Sequence, residues 1–226
     1  MFYIEIILIN AFAGFLSMLP FFIILELLAW KQIPNISLKH MIGDGIFGFL
    51  LSVILAVTGV PGLFEMQFDA AVNLIPFADI ATNGLQYAAN ILLFLPVGFL
   101  LPVLYRRCQT FVRSASMGFL FSLSIELMQL FCLRATDVDD LITNTLGCAI
   151  GYGIFALLKT LYPPLTTVFT TVNEAANEER VLRASRSKKK LPNLYDPEAV
   201  IFMLAAWAGA LLFLPLFKSV IWNIFL

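Results

Sequence analysis

The sequence contains little charge for its length of 226 residues. Asp, Glu, Lys and Arg together make up 13% of the chain, whereas an average soluble domain has about 25%. Hydrophobic residues account for 60% and the mean hydropathy is +0.90. A single soluble core of this size could not bury so much apolar surface. The composition therefore excludes a soluble globular domain and indicates a membrane protein.

The sequence also lacks a basic surplus and is poor in cysteine and histidine. Its 14 Lys and Arg are balanced by 15 Asp and Glu, so no excess of positive charge is available to neutralise phosphates, and we expect no nucleic-acid partner. Three cysteines do not suit a disulfide framework or a zinc site, and we expect each of them to fill apolar space. The single histidine, His40, allows at most one histidine-dependent centre. We expect His40 to lie at the cytoplasmic interface.

Six segments are long and apolar enough to cross a bilayer, which requires about 20 residues. They lie at residues 6–25, 41–60, 85–105, 114–133, 141–158 and 199–217. The expected fold is an all-α, polytopic bundle of about six transmembrane helices.

The distribution of Lys and Arg predicts the orientation of these spans. The first, third and fifth connections and the end of the fifth span carry 12 of the 14 basic residues, and acidic residues dominate the second and fourth connections. The basic connections should therefore be cytoplasmic, and both termini should be external.

Polar residues within the spans concentrate near the external side, where each one requires a reason because burial in the membrane is costly. Ser122, Glu126 and Gln129 share one helical face, and so do Asp140 and Asn144. The face of Asn144 continues into the small residues Gly147 and Gly151, which should allow close packing with the neighbouring fourth span.

The third span brings further polar groups to the same side. It enters the membrane with Asn90, and Pro96 and Pro102 should kink it and free backbone carbonyls. The preceding segment 73–77 is too short to span and should lie at the interface or dip into it. We predict one external pocket from these spans and loops, formed by Asn90, Glu126, Gln129, Arg134, Asp137, Asp139, Asp140 and Asn144. The alternative is a hydrogen-bond network in which these groups satisfy one another and Arg134 pairs with an aspartate.

The carboxylates of the predicted pocket could take part in proton transfer or in metal binding. Glu126, without a cation beside it, would favour its protonated form in the membrane, which suits proton exchange or general acid work. Asp137 and Asp140 are candidate ligands for a divalent cation, although the EF-hand spacing is absent. We expect no cofactor. Asp44, between Gly43 and Gly45, is interpreted as a helix-end carboxylate.

The ordered motifs resemble those of the VanZ-like family. They comprise the run from Asn73 to Phe77, Asn90 with the run from Pro96 to Gly98, the run from Ser124 to Gln129, and the stretch from Arg134 through Asp140 and Asn144 to Gly151. The resemblance covers about residues 73–153. It implies a small bacterial polytopic membrane protein of the kind named for an accessory factor in teicoplanin resistance. It also implies a functional set, which is Asn90, Glu126, Gln129, Arg134, Asp137, Asp140 and Asn144.

With the resemblance, the chain divides into four parts. Residues 1–62 form two N-terminal transmembrane helices, and residues 63–160 form a VanZ-like core with three transmembrane helices and external motif loops. Residues 161–198 form a cytoplasmic basic loop, and residues 199–226 form a C-terminal transmembrane helix. The expected location is the bacterial cytoplasmic membrane.

Two functional hypotheses follow. The first is a protein that binds an amphiphile at an outer-leaflet pocket and contributes to teicoplanin-type resistance, with membrane lipids, a glycopeptide antibiotic or a lipid-linked envelope precursor as partners. The alternative is an integral-membrane hydrolase or transferase that acts on a lipid-linked substrate with Glu126 as general acid and base. The residues leave open whether the protein is an enzyme and what its oligomeric state is.

Overall fold

The computed structural model describes residues 2–32, 37–60, 63, 66–68, 72–77, 80–131, 136–166, 169 and 197–225. Arg134, Cys132 and residues 170–196 of the basic loop lie outside these residues. Six helices cover most of the described chain: α1 (Phe2–Gln32), α2 (Leu38–Val57), α3 (Ile80–Leu104), α4 (Phe111–Gln129), α5 (Val138–Leu161) and α6 (Pro197–Phe225). Each is long and apolar enough to cross a membrane, which confirms the predicted polytopic helical bundle.

Short elements complete the described chain. Strands β1 (Val72–Asn73) and β2 (Thr136–Asp137) pair in parallel, with Val72 opposite Thr136 and Asn73 opposite Asp137. One 3₁₀ turn, Arg106–Cys108, links α3 to α4, and another, Pro163–Thr166, follows α5. The strand pair was not predicted, because two-residue strands leave no periodic pattern in the sequence.

The helices form two groups of three. In one group α1 packs against both α2 and α6, and in the other α5 packs against both α3 and α4. Helix α2 contacts α3 as well as its own group, and the indole of Trp207 in α6 donates a 3.0 Å hydrogen bond to Ser124 Oγ in α4. The core between the groups includes Phe47, Phe94 and Leu101, all with no exposed surface.

Side chains cap the N-terminal ends of α2 and α5. Ser37 accepts a hydrogen bond from Lys39 N at the start of α2, and Asp137 accepts one from Asp139 N at the start of α5. The first turn of α5 carries acidic residues and its last turn carries Lys159, which complements the helix macrodipole at both ends. The sequence 137–140 therefore favours a helix start at this point.

The small-residue stripe of α5 packs differently from the prediction. A methyl group at Gly147 or Gly151 would overlap the backbone of Ile91 or Leu95, so the stripe faces α3 and not α4. Helix α4 meets α5 through Gly118, which lies against the Cys148 side chain. The prediction that the adjacent fourth span would occupy the stripe was wrong, because a short connection does not determine which helix face meets which neighbour.

Both prolines of α3 lie inside a continuous helix. Pro102 has no N–H to donate to the carbonyl of Gly98, four residues earlier. Ser114 Oγ in α4 donates a 3.4 Å hydrogen bond to that carbonyl instead. The carbonyl freed by the proline is thus satisfied by a hydroxyl from the next helix, as expected for proline in a membrane span.

Two residues at the other end of the bundle are buried by contacts that the sequence did not predict. His40, expected at the cytoplasmic interface, lies in the first turn of α2 and has no exposed surface, because α6 and Phe169 cover it. Asp44, interpreted as a helix-end carboxylate, lies in the second turn of α2, is 1% exposed and accepts a hydrogen bond from Tyr105 in α3.

Candidate functional site

The predicted polar residues meet at one end of the bundle, where α3 and α5 begin and α4 ends. We call this the motif end. It contains Asn90 from α3, Glu126 from α4, and Asp137, Asp140 and Asn144 from the strand and helix that follow. Arg134 lies outside the described residues, so its predicted ion pair with an aspartate stays a prediction.

Glu126 ties the end of α4 to the start of α5. Its side chain is 3% exposed, and Oε2 accepts a 3.1 Å hydrogen bond from the backbone N–H of Asp137. The hydroxyl of Thr136 donates to the backbone carbonyl of Glu126 at 3.1 Å. The carboxylate is therefore an acceptor for the loop that returns the chain into the membrane.

Asp137 joins the two motif loops. Its Oδ1 caps α5, and its Oδ2 accepts a 3.3 Å hydrogen bond from Asn73 Nδ2 across the strand pair. Asn73 Oδ1 in turn accepts from Ile75 N at 3.1 Å, which shapes the turn that follows. Residues 64 positions apart in the sequence are thus held together by one carboxylate.

Asp139 is the most deeply buried acid of the motif end, at 1% exposure. The hydroxyl of Tyr87 donates to Oδ2 at 2.6 Å, and the backbone N–H of Phe77 donates to Oδ1 at 2.8 Å. Phe77 has a positive φ of 57°, an unusual backbone conformation for a bulky residue. The Asp139 carboxylate stabilises this turn, because it accepts a hydrogen bond from the N–H that the turn directs inward.

Asp140 lies at the edge of the network, where the surface is still accessible. Its Oδ1 accepts from Asn90 Nδ2 at 2.7 Å and from Gln86 Nε2 at 3.1 Å. Gln86 is exposed, and Asn90 and Asp140 are partly buried. Amide donors from α3 therefore position a carboxylate that remains within reach of a ligand.

Asn144 lies one turn deeper than Asp140. Its Nδ2 donates a 3.0 Å hydrogen bond to Ser122 Oγ, which links α5 to α4. Its Oδ1 is buried, and no donor from the described part of the chain reaches it. An unsatisfied buried acceptor is uncommon and costly, so this oxygen marks a place where a donor from a water or a ligand would be favourable.

Gln129 points away from this group. Its Nε2 donates a 3.3 Å hydrogen bond to the carbonyl of Thr58, at the end of α2. Gln129 shares a helix face with Glu126, but it contributes to the contact between α4 and α2. The structure therefore brings together six of the eight residues of the predicted pocket, Asp139 among them, and directs Gln129 elsewhere.

Sequence reasoning left Gln86 and Tyr87 out of the site, and also Thr143, whose Oγ1 accepts a 3.4 Å hydrogen bond from Asn90 Nδ2. Gln86, Tyr87 and Asn90 lie within four positions on α3, a spacing that could have identified them once Asn90 was chosen. Asp137 and Asp140 accept hydrogen bonds from side-chain amides, and among the described residues neither belongs to a group of three metal-ligating side chains.

Comparison with known proteins agrees with the motif resemblance. Residues 46–159 match the model of the VanZ/LLP1 family, which covers just over half of the chain. A relative described as Protein VanZ, from Enterococcus faecium, is 30% identical over 105 residues. That alignment spans 42% of this chain and 64% of the relative, which is less than two thirds of the relative's length. No solved structure matches the chain significantly. The chain therefore belongs to the VanZ/LLP1 family, as a multi-pass membrane protein whose polar motif residues converge at one end of the bundle.

Proposed function

We propose that the motif end binds the head group of an amphiphile in the outer leaflet and that this binding contributes to teicoplanin-type resistance. The observation that carries the proposal is the Asp140 carboxylate, which is only partly buried and is held by Asn90 and Gln86 at the rim of the network. A positioned, accessible carboxylate beside amide donors suits a head group that carries an ammonium group and hydroxyls.

The surroundings of this rim are apolar. Leu74, Ile75 and Leu85 are 72%, 69% and 86% exposed. Leu74 and Ile75 belong to the turn that ends at Phe77, and Leu85 adjoins Gln86 on α3. Exposed apolar side chains next to a polar cluster match the two parts of an amphiphile, because the acyl chain and the head group require different contacts.

The candidate amphiphiles are a glycopeptide antibiotic, an envelope lipid and a lipid-linked envelope precursor. Membership of the VanZ/LLP1 family and similarity to a relative named Protein VanZ support the antibiotic. The acid-rich rim supports any of the three that carries an amine. Direct binding measurements separate them.

The enzymatic alternative has less support. A general acid and base must reach the reacting atoms of the substrate. Glu126 is 3% exposed, and its Oε2 already accepts the Asp137 N–H. Asp140 is the more accessible carboxylate, and a binding role requires no proton transfer from it.

The first test compares teicoplanin susceptibility in a sensitive host that expresses wild type, Asp140→Asn or Asn90→Ala at matched membrane levels. Asp140→Asn keeps one acceptor oxygen for Asn90 and replaces the charged carboxylate by a neutral amide of the same shape. We expect both variants to lose most of the protection that wild type gives. Leu216→Ala, at a 60% exposed position of α6 far along the chain from the motifs, is the matched control and should protect fully.

Binding by the purified full chain identifies the ligand. Isothermal titration with teicoplanin, and separately with phosphatidylethanolamine or phosphatidylglycerol vesicles, should show saturable binding for at least one amine-bearing partner. Asp140→Asn should weaken that binding by about tenfold or more, as loss of one charge-assisted contact does. Protection and binding that are both unchanged in Asp140→Asn would refute the proposal.

A further inference from the structure

A second polar cluster lies at the opposite end of the bundle, where α2 and α6 begin. His40 and Asp44 are one turn apart on α2, and Glu198 is in the first turn of α6. His40 Nε2 lies 3.0 Å from Asp44 Oδ2 and 3.0 Å from Glu198 Oε1. All three residues lie outside the stretch 46–159 that matches the family. The cluster is therefore a feature of this chain beyond the shared motifs.

The two ring nitrogens of His40 have different surroundings. Nδ1 lies 2.6 Å from the carbonyl oxygen of Phe169, which can only accept, so Nδ1 carries a hydrogen and donates it. In a neutral imidazole this leaves a lone pair on Nε2, and that lone pair faces two carboxylate oxygens. A cation must lie between them, either a second proton on the ring or a metal ion.

The distances around Nε2 suit a metal ion. Two ligand atoms that each lie about 2.1 Å from an ion are about 3.0 Å apart at the right angles of octahedral coordination and about 3.4 Å apart at the tetrahedral angle usual for zinc. The separations from Nε2 to Asp44 Oδ2 and to Glu198 Oε1 are both 3.0 Å, the octahedral value. A single proton on Nε2 can point along only one of these two lines, whereas a metal ion satisfies both carboxylates at once.

Supporting groups hold the cluster in the way that protein metal sites are held. Metal-binding histidines usually donate their other ring N–H to a carbonyl or carboxylate, and ligating carboxylates are themselves hydrogen-bonded. The Phe169 carbonyl fills the first role for His40. The hydroxyl of Tyr105, which has no exposed surface, donates to Asp44 Oδ1 at 2.9 Å and leaves Oδ2 directed at the imidazole.

Glu26 supplies an independent indication. It is 7% exposed, and within the described ranges neither of its carboxylate oxygens has a hydrogen-bond partner. Together with Ile42 and Gly45 of α2 it lines one pocket, which places it against the part of α2 that carries Asp44. A buried carboxylate without donors is costly unless it is paired or bound to a metal. A cation in the adjacent cluster would reduce the cost of its burial.

We propose that His40 Nε2, Asp44 Oδ2 and Glu198 Oε1 bind a divalent transition metal of the Zn²⁺ or Mn²⁺ type. One imidazole and several carboxylates favour these ions, because imidazole selects transition metals over Mg²⁺ and Ca²⁺. The site joins α2 and α6, and all three of its ligands lie outside the family match. It is separate from the motif end and does not depend on the proposed function.

The test uses the full chain, purified in detergent with a tag that contains no histidine. After equilibration with ZnCl₂ or MnCl₂ and removal of unbound ion, elemental analysis should find one metal ion per chain. Electron spin-echo envelope modulation of the Mn²⁺-bound protein should show coupling between the ion and an imidazole nitrogen. Because His40 is the only histidine in the sequence, that signal assigns the ligand without ambiguity.

Variants distinguish ligands from supporting groups. His40→Gln and Asp44→Asn should lose the bound metal, and the nitrogen coupling should disappear in His40→Gln. Tyr105→Phe should retain a site with affinity lower by about 10- to 100-fold, as for loss of a supporting hydrogen bond. Leu216→Ala, at a 60% exposed position of α6 that belongs to neither polar cluster, is the control and should bind metal like wild type.

The fold of each variant is checked by gel filtration and circular dichroism. If His40→Gln does not fold, Glu198→Gln replaces it, because Glu198 lies at the less buried edge of the cluster, with a side chain 22% exposed. Wild type that is folded but carries no metal after equilibration would overturn the proposal and leave a protonated imidazole between two carboxylates. Metal retained equally by the His40 and Asp44 variants would overturn it as well.

Discussion

The hydroxyl of Tyr87 in α3 donates a 2.6 Å hydrogen bond to Oδ2 of Asp139, in the first turn of α5. Asp139 Oδ1 accepts from Phe77 N, so one buried carboxylate joins two helices and the turn before α3. The partly exposed Asp140 is the next residue. The position of the Asp140 carboxylate, which we propose binds the ligand, therefore depends on the hydrogen bond between Tyr87 and Asp139. The ligand itself would not touch that bond.

Tyr87→Phe should destabilise the protein without direct loss of a ligand contact. The variant removes the hydroxyl and leaves a buried carboxylate oxygen with one donor fewer, which should lower the free energy of unfolding by about 1 to 3 kcal/mol. Unfolding by SDS in mixed micelles measures the change. Tyr162→Phe removes a hydroxyl from a residue that is 58% exposed and should have little effect. Equal values for the two variants would contradict a structural role for the Tyr87 to Asp139 bond.

Substitutions of Glu126 should separate its acceptor role from its charge. Glu126→Gln keeps a carbonyl oxygen that can accept the Asp137 N–H, whereas Glu126→Ala removes it. We expect Ala to lower the unfolding free energy by about 1 to 3 kcal/mol and Gln to remain within about 1 kcal/mol of wild type.

The same pair of variants bears on catalysis by Glu126. If Glu126 has only a structural role, the protection against teicoplanin should depend only on the stability of the variant, and Glu126→Gln should protect nearly as well as wild type. A stable Glu126→Gln protein that gives no protection, together with a changed envelope lipid profile by mass spectrometry, would favour the enzymatic alternative instead.

Gly151 and Gly153 form a matched pair on α5. A methyl group at Gly151 would overlap the backbone of Leu95 in α3, whereas a methyl group at Gly153 would meet no atom within 4 Å. Gly151→Ala should force the helices apart at a cost of about 1 to 3 kcal/mol. Gly153→Ala should be neutral or stabilising by up to about 1 kcal/mol, since alanine favours helix more than glycine does. The same SDS unfolding assay compares them, and equal stability would show that α3 and α5 are not in close contact at Gly151.

The distribution of basic residues predicts that both termini and the motif end face the outside. Fusions of alkaline phosphatase after residue 68 or at the C-terminus should therefore be active in the periplasm, and a fusion after Gln109 should be inactive. The reverse pattern would place the motif end at the inner leaflet and would exclude binding of an external antibiotic there.

The spans were predictable because hydropathy and length depend only on local sequence, and the six helices agree with the six apolar segments. Asn90, Asp140 and Asn144 were predictable as neighbours because helical spacing and the motif order placed them at one depth. The role of Tyr87 was not predictable, since tyrosines are common at the membrane interfaces of such proteins and do not by themselves indicate a site. Its partner, Asp139, lies 52 positions away in the sequence.

The His40 cluster could not be predicted for a related reason. Glu198 is 158 residues from His40, and the carbonyl that fixes the imidazole belongs to Phe169. Neither residue type is unusual where it occurs, and no local pattern relates either of them to α2. Only the packing of α6 against α1 and α2 places them together, and helix pairing of this kind leaves no signal in one sequence.

The pairing of α6 with α1 and α2 also has a consequence for the order of assembly. Helices α1 and α2 leave the ribosome together, and α3 to α5 follow as a second sequential group, so each set can form its contacts as it is synthesised. Helix α6 is made last and must pack against helices that were made four and five spans earlier. Docking of α6 brings Glu198 to His40 and Trp207 to Ser124. Completion of the His40 cluster is thus a late event in biogenesis, and it coincides with closure of the whole bundle.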